Sequence, residues 1–473
     1  MKKTLLIFIF LSFIVTANNL PELGDYSSSK ISESDEIFIG RQILFQVNQS
    51  DSIIRDIEIS DYLDSLGKRL INASTDPAKK IEFFIVSDPS INAFAMLGGV
   101  IGVHSGLFLA SNTESELASV ISHEIAHINQ KHISRFLLQQ ERASYQSTFI
   151  MAVALLLARS NPQLASTAMA GASAGSVQGA LDFTRENEKE ADRVGIQTLN
   201  NAGFDVRGAR DFFTTLKQAN QFSGGAAPAF LQTHPITSNR INDIEDRLKD
   251  FPYKQRVDNQ TFHYVKGKLK ALLDNKEDTK NILEKNIKNK IYINEGGERF
   301  ALAYIYLIDN EFIKSYEQMQ WLFDNEQSNP MLSQLYINYL IKINKVTEAK
   351  KIYEQNLNFF PSNRSFIYGL ADLYLETQDS EKAIKLLKEN EQKFSQDPIL
   401  YKLFAKGYAN QGKKLLQYEN LAEAAYYNFN LQEAIIRMDL AIKANDGDFY
   451  QKSRVESRLK QFQKEQQIHT NDN

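Results

Sequence analysis

The apolar and polar residues of this chain alternate at helical spacing over much of its length. From 31 to 74, Ile, Leu and Phe recur every three or four positions among charged residues, which predicts amphipathic helices. The same argument predicts one long helix from Glu114 to about Ser144. The chain is therefore expected to be mainly α-helical.

Three short runs have the composition of strands instead. The run 81–86 is rich in Ile, Phe and Val and ends at an Asp-Pro pair, which predicts a strand. The runs 93–97 and 100–103 flank Gly98 and Gly99, which predicts two strands joined by a tight turn. A small β-sheet is thus expected within the helical protein.

An internal repeat begins after residue 250, where glycine becomes scarce and Tyr, Lys, Asn and Glu become common. Ser315, Ala349 and Ala383 are 34 positions apart (349−315 and 383−349). The same step separates Ala303, Ile337 and Ala371, and also Tyr306, Leu340 and Tyr374. A helix-turn-helix period of this length is typical of tetratricopeptide repeats, which stack into an α-solenoid. Repeats before Arg299 and after Leu400 look degenerate, and the alternative is an irregular helical bundle.

The N-terminus has the features of an export signal. Two lysines precede the apolar run 4–16, which ends at a small-residue cleavage site, Val15-Thr16-Ala17. The run is shorter than the roughly 20 apolar residues that span a bilayer, although an uncleaved anchor is the alternative. Since the chain has no cysteine, export without disulfides favours a bacterial periplasm. The formal net charge of -4 gives no support for nucleic-acid binding.

A segment rich in Ala, Gly and Ser at 147–180 stands apart from the rest. It contains an apolar run, Ile150 to Ala158, that is too short to cross a membrane. A helical hairpin packed over the neighbouring domain is one interpretation. The other is a mobile loop in peripheral contact with a membrane, and a membrane-embedded protein would require this run to insert.

The segment His123-Glu-Ile-Ala-His127 carries the clearest chemistry. Two histidines four residues apart share one face of a helix and can hold one zinc ion. Zinc in catalytic sites takes a third protein ligand and a water, whose pKa it lowers towards neutrality. Glu124 is placed to take a proton from that water and pass it to the leaving amine. The pattern predicts a zinc metalloendopeptidase with one Zn²⁺ per chain.

The third ligand is not fixed by spacing. Ile133 occupies the position of the third histidine of metzincins, and His132 is expected to point away from the metal face of a continuous helix, as a structural or surface residue. Glu188 and Asp192 are four apart on a predicted helix, which suits a metal ligand and a carboxylate that binds a ligand histidine. Other glutamates occur in this segment, so a solvated charged face is the alternative.

These motifs together resemble the gluzincin peptidases that include HtpX and the CAAX-processing proteases. The resemblance implies that Glu188 is the third metal ligand and that Asp192 assists catalysis beside Glu124. It also implies that Asn92, Ala93, Phe94 and Ala95 form a strand along the cleft, on which substrate adds as a further strand. Leu97 replaces a proline that many relatives have there. The family's late motif matches Thr233-His-Pro-Ile-Thr-Ser-Asn-Arg-Ile241, so His234 and Arg240 are expected near the metal.

His234 and Arg240 each have several interpretations. The resemblance implies that His234 caps the zinc as a latent fourth ligand. An oxyanion-stabilising group and an ordinary turn histidine before Pro235 are the alternatives. Arg240 is expected to bind the Glu-rich helix, to stabilise developing charge, or to form a structural salt bridge.

An exported gluzincin with tetratricopeptide repeats resembles a branch of the family that acts on outer-membrane proteins of Gram-negative bacteria. The resemblance implies a periplasmic endopeptidase that degrades misassembled β-barrel proteins and assists their assembly, with clients or assembly machinery docking on the repeats. A chaperone or scaffold with a capped metal site is the alternative. The expected organisation is a signal peptide at 1–17, a gluzincin-type zinc peptidase domain at 18–250 and a repeat domain at 251–473.

Overall fold

The computed structural model describes residues 33–75, 80–139, 185–222, 229–235, 237–273 and 275–471. The predicted signal peptide and the segment 147–180 lie outside these residues. In the described part, no helix has both the length and the apolar character needed to cross a membrane. The elements of the N-terminal half are α1 (Glu33–Gln49), α2 (Ile57–Ala73), β1 (Glu82–Val86), β2 (Ala93–Met96), β3 (Val100–His104), α3 (Ser105–Ala110), α4 (Glu114–Asn129), α5 (His132–Gln139), α6 (Arg185–Asn201), α7 (Arg207–Phe222), α8 (Ala229–Thr233) and α9 (Ser238–Leu248).

The three predicted strands form one sheet in the order β1-β3-β2. The central strand β3 is parallel to β1 and antiparallel to β2, with Phe94 opposite Gly102. Gly98 and Gly99 both have left-handed backbone angles, with φ of 79° and 75°, and Gly98 lies so close to Gly40 that a Cβ would collide. The predicted glycine turn is confirmed, and it leaves β2 as an edge strand.

The long helix predicted from Glu114 to Ser144 is wrong. Helix α4 starts at the N-cap Thr113, whose side chain accepts from the amide of Glu116, and it ends at Asn129. Lys131 then adopts a left-handed φ of 52°, and α5 starts in a new direction at His132. An α-helix cannot continue through a left-handed residue, so this break sets where His132 lies.

Helix α6 packs directly on α4 through small residues. Ala126 of α4 meets Ala191 and Val194 of α6 in one buried cluster. A Cβ on Gly195 would stand 3.2 Å from the Cα of His123, which shows how closely the two backbones approach. This close packing carries the acidic face of α6 to the histidine pair.

The C-terminal half is a series of antiparallel helix pairs that stack as an α-solenoid. Its helices are α10 (Gln260–Leu273), α11 (Lys276–Asn289), α12 (Glu295–Ile308), α13 (Phe312–Asn325), α14 (Pro330–Lys342), α15 (Val346–Phe359), α16 (Arg364–Glu376), α17 (Ser380–Asn390), α18 (Pro398–Asn410), α19 (Lys414–Tyr427), α20 (Leu431–Lys443) and α21 (Phe449–Asn471). The small repeat residues Ser315, Ala349 and Ala383 are fully buried where neighbouring helices meet. The predicted solenoid of tetratricopeptide type is confirmed.

The repeats extend further than their sequence suggests. Four turns inside successive pairs carry a left-handed residue at a 34-residue step, namely Asn310, Asn344, Gln378 and Gly412. The pairs α10–α11 and α18–α19 have the same helix-turn-helix form as the central ones. The helix-turn-helix form therefore continues before Arg299 and after Leu400, where the sequence repeat is degenerate.

The solenoid is joined to the N-terminal half by a shared core and by ion pairs. One apolar cluster includes Leu63 of α2 together with Phe262 and Phe300 of the first solenoid pairs. Lys268 of α10 is buried and lies 2.5 Å from the carboxylate of Glu58 at the start of α2. The connecting segment also reaches the start of α4, because Asp258 accepts from the backbone amide of Glu114 at 3.0 Å. The helix that carries the histidine pair is thus anchored to both halves of the chain.

Candidate metal centre

Four buried side chains from three segments converge on one point. His123 and His127 come from α4, Glu188 from α6 and His234 from the turn after α8. Each offers one ligand atom, and these atoms all lie within 4.8 Å of one another. The Nε2 atoms of His123 and His127 are 3.0 Å apart, and a Glu188 oxygen lies 3.4 Å from the second of them. The spacing and the donor set suit a single metal ion bound by imidazoles and a carboxylate.

His123 is held by a carboxylate on its other side. Its Nδ1 lies 3.0 Å from Asp192 Oδ1, one helical turn beyond Glu188 on α6. Burial opposes protonation of His123, but the carboxylates of Asp192 and Glu188 outweigh it and raise the pKa of His123. A metal ion competes with this proton, so the affinity of the site for metal should fall as the pH falls.

Arg240 ties the acidic residues of the site together. Its Nε and Nη2 each contact a different oxygen of Asp192 at 2.8 Å, and its Nη1 lies 2.7 Å from Glu188 Oε2. The same Nη1 donates to the carbonyl of Pro235, next to His234. Burial works against ionisation of Asp192, but hydrogen bonds from His123 and Arg240 lower its pKa. Arg240 therefore contacts the Glu-rich helix, and these contacts are also salt bridges, so two of its three expected interpretations agree with the structure.

Glu124 lies between the metal cluster and the edge strand. It is fully buried, and its Oε2 accepts from the backbone amide of Ala95 at 2.9 Å. Its other oxygen, Oε1, is 3.4 Å from His234 Nε2. Burial raises the pKa of Glu124, partly offset by His234 and His123. The carboxylate therefore sits beside the cluster in an environment that increases its basicity.

The predicted substrate strand lies directly beside Glu124. Every residue of β2 has a partner on β3, but the amide of Ala95 points away from β3 and donates to Glu124, so the amide of Ala93, two residues earlier, also faces the outer edge. Asn92 precedes the strand and is buried, with its carbonyl accepting from His104. Asn92 and the β2 residues that follow it are all buried in this structure. The edge is therefore aimed at the cluster but covered.

Helix α8 supplies part of that cover. The backbone amide of Phe230 donates to the carbonyl of Ile91, just before β2. The Phe230 ring stacks on His234 with centroids 4.7 Å apart. A cavity of about 30 Å³ beside His123 and Phe230 has room for only one or two waters. The role of Phe230 was not predicted from the sequence, although its position four residues before His234 could have indicated a shared helix face.

His132 is not among the four side chains that converge on the metal position, but its contact with His127 was not predicted from the sequence. It is fully buried, and its Nδ1 lies 2.7 Å from Nδ1 of His127. Burial lowers the pKa of His132, and burial also lowers the pKa of His127 well below its ordinary value. The expectation assumed a helix that continues past position 130. No sequence signal marks the break, because lysine is uncommon at a left-handed position.

Comparison with known proteins finds one matching family and several similar proteins. Residues 59–248 match Peptidase family M48. A protein of Vibrio cholerae that bears the name β-barrel assembly-enhancing protease is 37% identical over 252 residues, which are 53% of this chain and 52% of that protein. The β-barrel assembly-enhancing protease of Escherichia coli K12 is 28% identical over 96% of this chain and 93% of its own length. The mitochondrial metalloendopeptidase OMA1 of Schizosaccharomyces pombe is 31% identical over 41% of this chain and 55% of its own length.

The match spans both helices that carry the metal cluster, the edge strand and the segment with His234 and Arg240. The relatives are named as proteases or metalloendopeptidases. Residues 59–248 therefore form a domain that matches peptidase family M48, and the chain that contains it is a metallopeptidase.

Proposed function

We propose that this chain is a zinc-dependent endopeptidase of the periplasm that cleaves misassembled outer-membrane β-barrel proteins and assists their assembly. The observation that carries the proposal is a buried cluster of two histidines and a glutamate, with a carboxylate between it and an edge strand. The proposed division of the chain is a signal peptide at 1–17, a peptidase domain at 18–250 and a repeat domain at 251–473.

Zinc is the metal that these residues fit best. Imidazole nitrogens are borderline donors and a carboxylate oxygen is a hard donor, and this set suits Zn²⁺ better than Mg²⁺ or Ca²⁺. His123, His127 and Glu188 would hold it, one ion per chain. When bound, the ion supplies Lewis acidity to the scissile carbonyl and acidifies the attacking water.

Glu124 is assigned as the general base. Its burial keeps the carboxylate poorly solvated, which raises its pKa and improves its match to proton transfer near neutral pH. The amide of Ala95 holds one oxygen in place, so the other, Oε1, faces the cluster. Asp192 acts through His123, as a positioning residue that fixes the imidazole by its Nδ1.

The edge of β2 supports a substrate that binds as an added strand. Residues Asn92 to Ala95 would pair with an extended segment through backbone hydrogen bonds, which requires little side-chain specificity. Unfinished β-barrels expose unpaired strands of this kind. The names of the Vibrio and Escherichia relatives support β-barrel proteins as the client class. The solenoid would dock clients or the assembly machinery, since stacked repeats present an extended binding surface.

Latency is proposed for the conformation described here. His234 lies 3.0 Å from Glu188 and 3.4 Å from both His123 and Glu124, where it would complete the ligand set and exclude substrate. The same position supports the second candidate function, a chaperone or scaffold of outer-membrane protein assembly whose metal site stays capped. The peptidase and the scaffold functions predict the same resting structure. They differ in whether α8 and His234 move away from the metal position.

The proposed activity is tested by metal removal. The purified full chain is incubated with a urea-denatured outer-membrane β-barrel protein and with the same protein folded in detergent. We expect cleavage of the denatured form alone, loss of cleavage after dialysis against a chelator, and its return with one equivalent of Zn²⁺. A chain that binds zinc stoichiometrically but cleaves no denatured client would favour the scaffold function instead.

His234→Ala is expected to raise the turnover of the denatured client by about tenfold or more, because the closed state no longer gains a metal ligand. Steady-state kinetics with zinc-loaded protein measure the change, and the exposed Asn239→Ala serves as a control in the same segment. An oxyanion-stabilising role predicts the opposite, a loss of about 10²–10³ in turnover. Unchanged turnover would leave His234 as an ordinary turn histidine and contradict the latency proposal.

A further inference from the structure

We propose that His132 is a positioning residue for the metal ligand His127 and that it sets much of the affinity of the site for metal. The inference rests on the proposed zinc function, and it assigns a role to a residue outside the His-Glu-His motif. Its evidence is a chain of contacts that runs from the buried metal cluster through the buried His132 to the half-buried Glu190 on α6.

The contacts follow one another across two imidazole rings. His127 directs its Nε2 into the cluster, 3.0 Å from His123 Nε2. Its opposite nitrogen, Nδ1, is 2.7 Å from Nδ1 of His132. The Nε2 of His132 then lies 3.1 Å from Glu190 Oε2, and the same oxygen accepts from Arg135 at 2.9 Å.

Only one arrangement of protons satisfies this chain when a metal is bound. A ligand nitrogen must present its lone pair, so Nε2 of His127 carries no proton and its Nδ1 must carry one. That N–H donates to Nδ1 of His132, which therefore accepts and carries its own proton on Nε2. The Nε2–H of His132 donates to the carboxylate of Glu190. The chain thus selects the tautomer of His127 that can bind the metal.

The backbone break at Lys131 makes these contacts available. In an uninterrupted helix a residue five positions after His127 would lie about 140° further around the axis. The left-handed Lys131 instead turns α5 so that His132 packs against the His127 ring, with ring centroids 4.8 Å apart. Arg135, nearly one turn further along α5, reaches Glu190 on α6. The break therefore serves the metal centre and is not merely the end of a helix.

The two ligand histidines have separate supports of different kinds. His123 donates to Asp192, a carboxylate whose charge is balanced by Arg240. His127 instead contacts the neutral imidazole of His132, and His132 in turn contacts the carboxylate of Glu190. Glu124 is held separately, by the backbone amide of Ala95. Loss of His132 should therefore weaken metal binding while the general base stays in place.

The test compares His132→Leu with His132→Asn in the full chain. The Asn carboxamide can place its oxygen near the position of Nδ1 and still accept from His127, whereas Leu cannot. We expect the dissociation constant for Zn²⁺, measured by chelator competition, to rise about 10–100-fold for His132→Leu. Asn should recover most of that loss. Glu190→Gln should raise the dissociation constant less than His132→Leu does. Its control is Glu186→Gln, the same change at an exposed position one turn earlier on α6.

Two further measurements keep the outcomes distinct. Circular dichroism and thermal unfolding without metal report whether each variant folds, and the Co²⁺-loaded absorption spectrum reports the ligand field directly. If His132→Leu does not fold, the Asn and Gln variants carry the test. Zinc affinity unchanged in His132→Leu, or equally lost in Leu and Asn, would overturn the proposal. Wild-type protein that binds no zinc would contradict the proposed function instead.

Discussion

Glu124→Gln should abolish peptide-bond cleavage while the protein keeps its metal. We expect turnover of a denatured β-barrel client to fall by about 10²–10⁴, the usual contribution of a general base. The amide oxygen of Gln can still accept from the Ala95 backbone amide, so the edge strand and α4 should keep their relative positions. A neutral group also removes the cost of a buried charge, so the variant should be at least as stable as the parent.

The experiment measures single-turnover cleavage and zinc content on the same preparation. Glu186→Gln is the matched control, since it makes the same change at an exposed position on α6. If the Glu124→Gln protein holds one zinc per chain but no longer cleaves, Glu124 is the general base. Cleavage at the parental rate would show that another group takes the proton.

A second measurement separates the peptidase from the scaffold. If Glu124→Gln supports outer-membrane assembly in a deletion strain as well as the parent does, proteolysis is secondary for this chain. If assembly fails with the variant, cleavage is part of the function. The result bears on the client class as well, because only a peptidase needs the strand edge beside Glu124.

Much of the centre could be predicted because its geometry is local. His123, Glu124 and His127 lie within two helical turns, and the period of the helix fixes their relative directions. The spacing of Glu188 and Asp192 limited the candidates for the third ligand to one helix. The choice among the glutamates of that helix depended on a family resemblance. Their approach to α4 requires Gly195, whose role as a contact between helices is visible only in three dimensions.

The parts that could not be predicted depend on single backbone angles and on long-range contacts. One left-handed residue, Lys131, sets the direction of α5 and brings His132 against the ring of His127. Phe230 meets Ile91 across a separation that no periodicity encodes. In the solenoid the reverse is true, because turns such as Asn310 and Gly412 repeat at a fixed step even where side chains diverge. Because the repeats stack regularly, the backbone of a degenerate repeat can be predicted from its neighbours better than from its own sequence.

Arg240→Leu is expected to destabilise the centre by about 3–5 kcal/mol, because it leaves buried carboxylates without their counter-ion. Asp192 would lose two hydrogen bonds and Glu188 its closest cation. The loss should be local to α6 and α9, so hydrogen exchange of their backbone amides is the measurement. Exposed Arg193 on α6 offers a control, since Arg193→Leu removes the same charge with an effect within about 0.5 kcal/mol.

The metal should reduce this loss, and that dependence distinguishes an electrostatic role for Arg240 from simple packing. A dication beside Glu188 compensates the same negative charge that Arg240 compensates, so the destabilisation should be smaller with saturating Zn²⁺ than in chelator. Arg240→Lys should recover only part of the stability, because one ammonium cannot bind both oxygens of Asp192 and also reach Glu188. Combining Arg240→Leu with Asp192→Asn should cost less than the sum of the single changes, since the unpaired charge is then gone. Equal losses of stability with and without zinc, together with additive effects of the two substitutions, would contradict the electrostatic role. Arg240 would then act only by packing against Phe213.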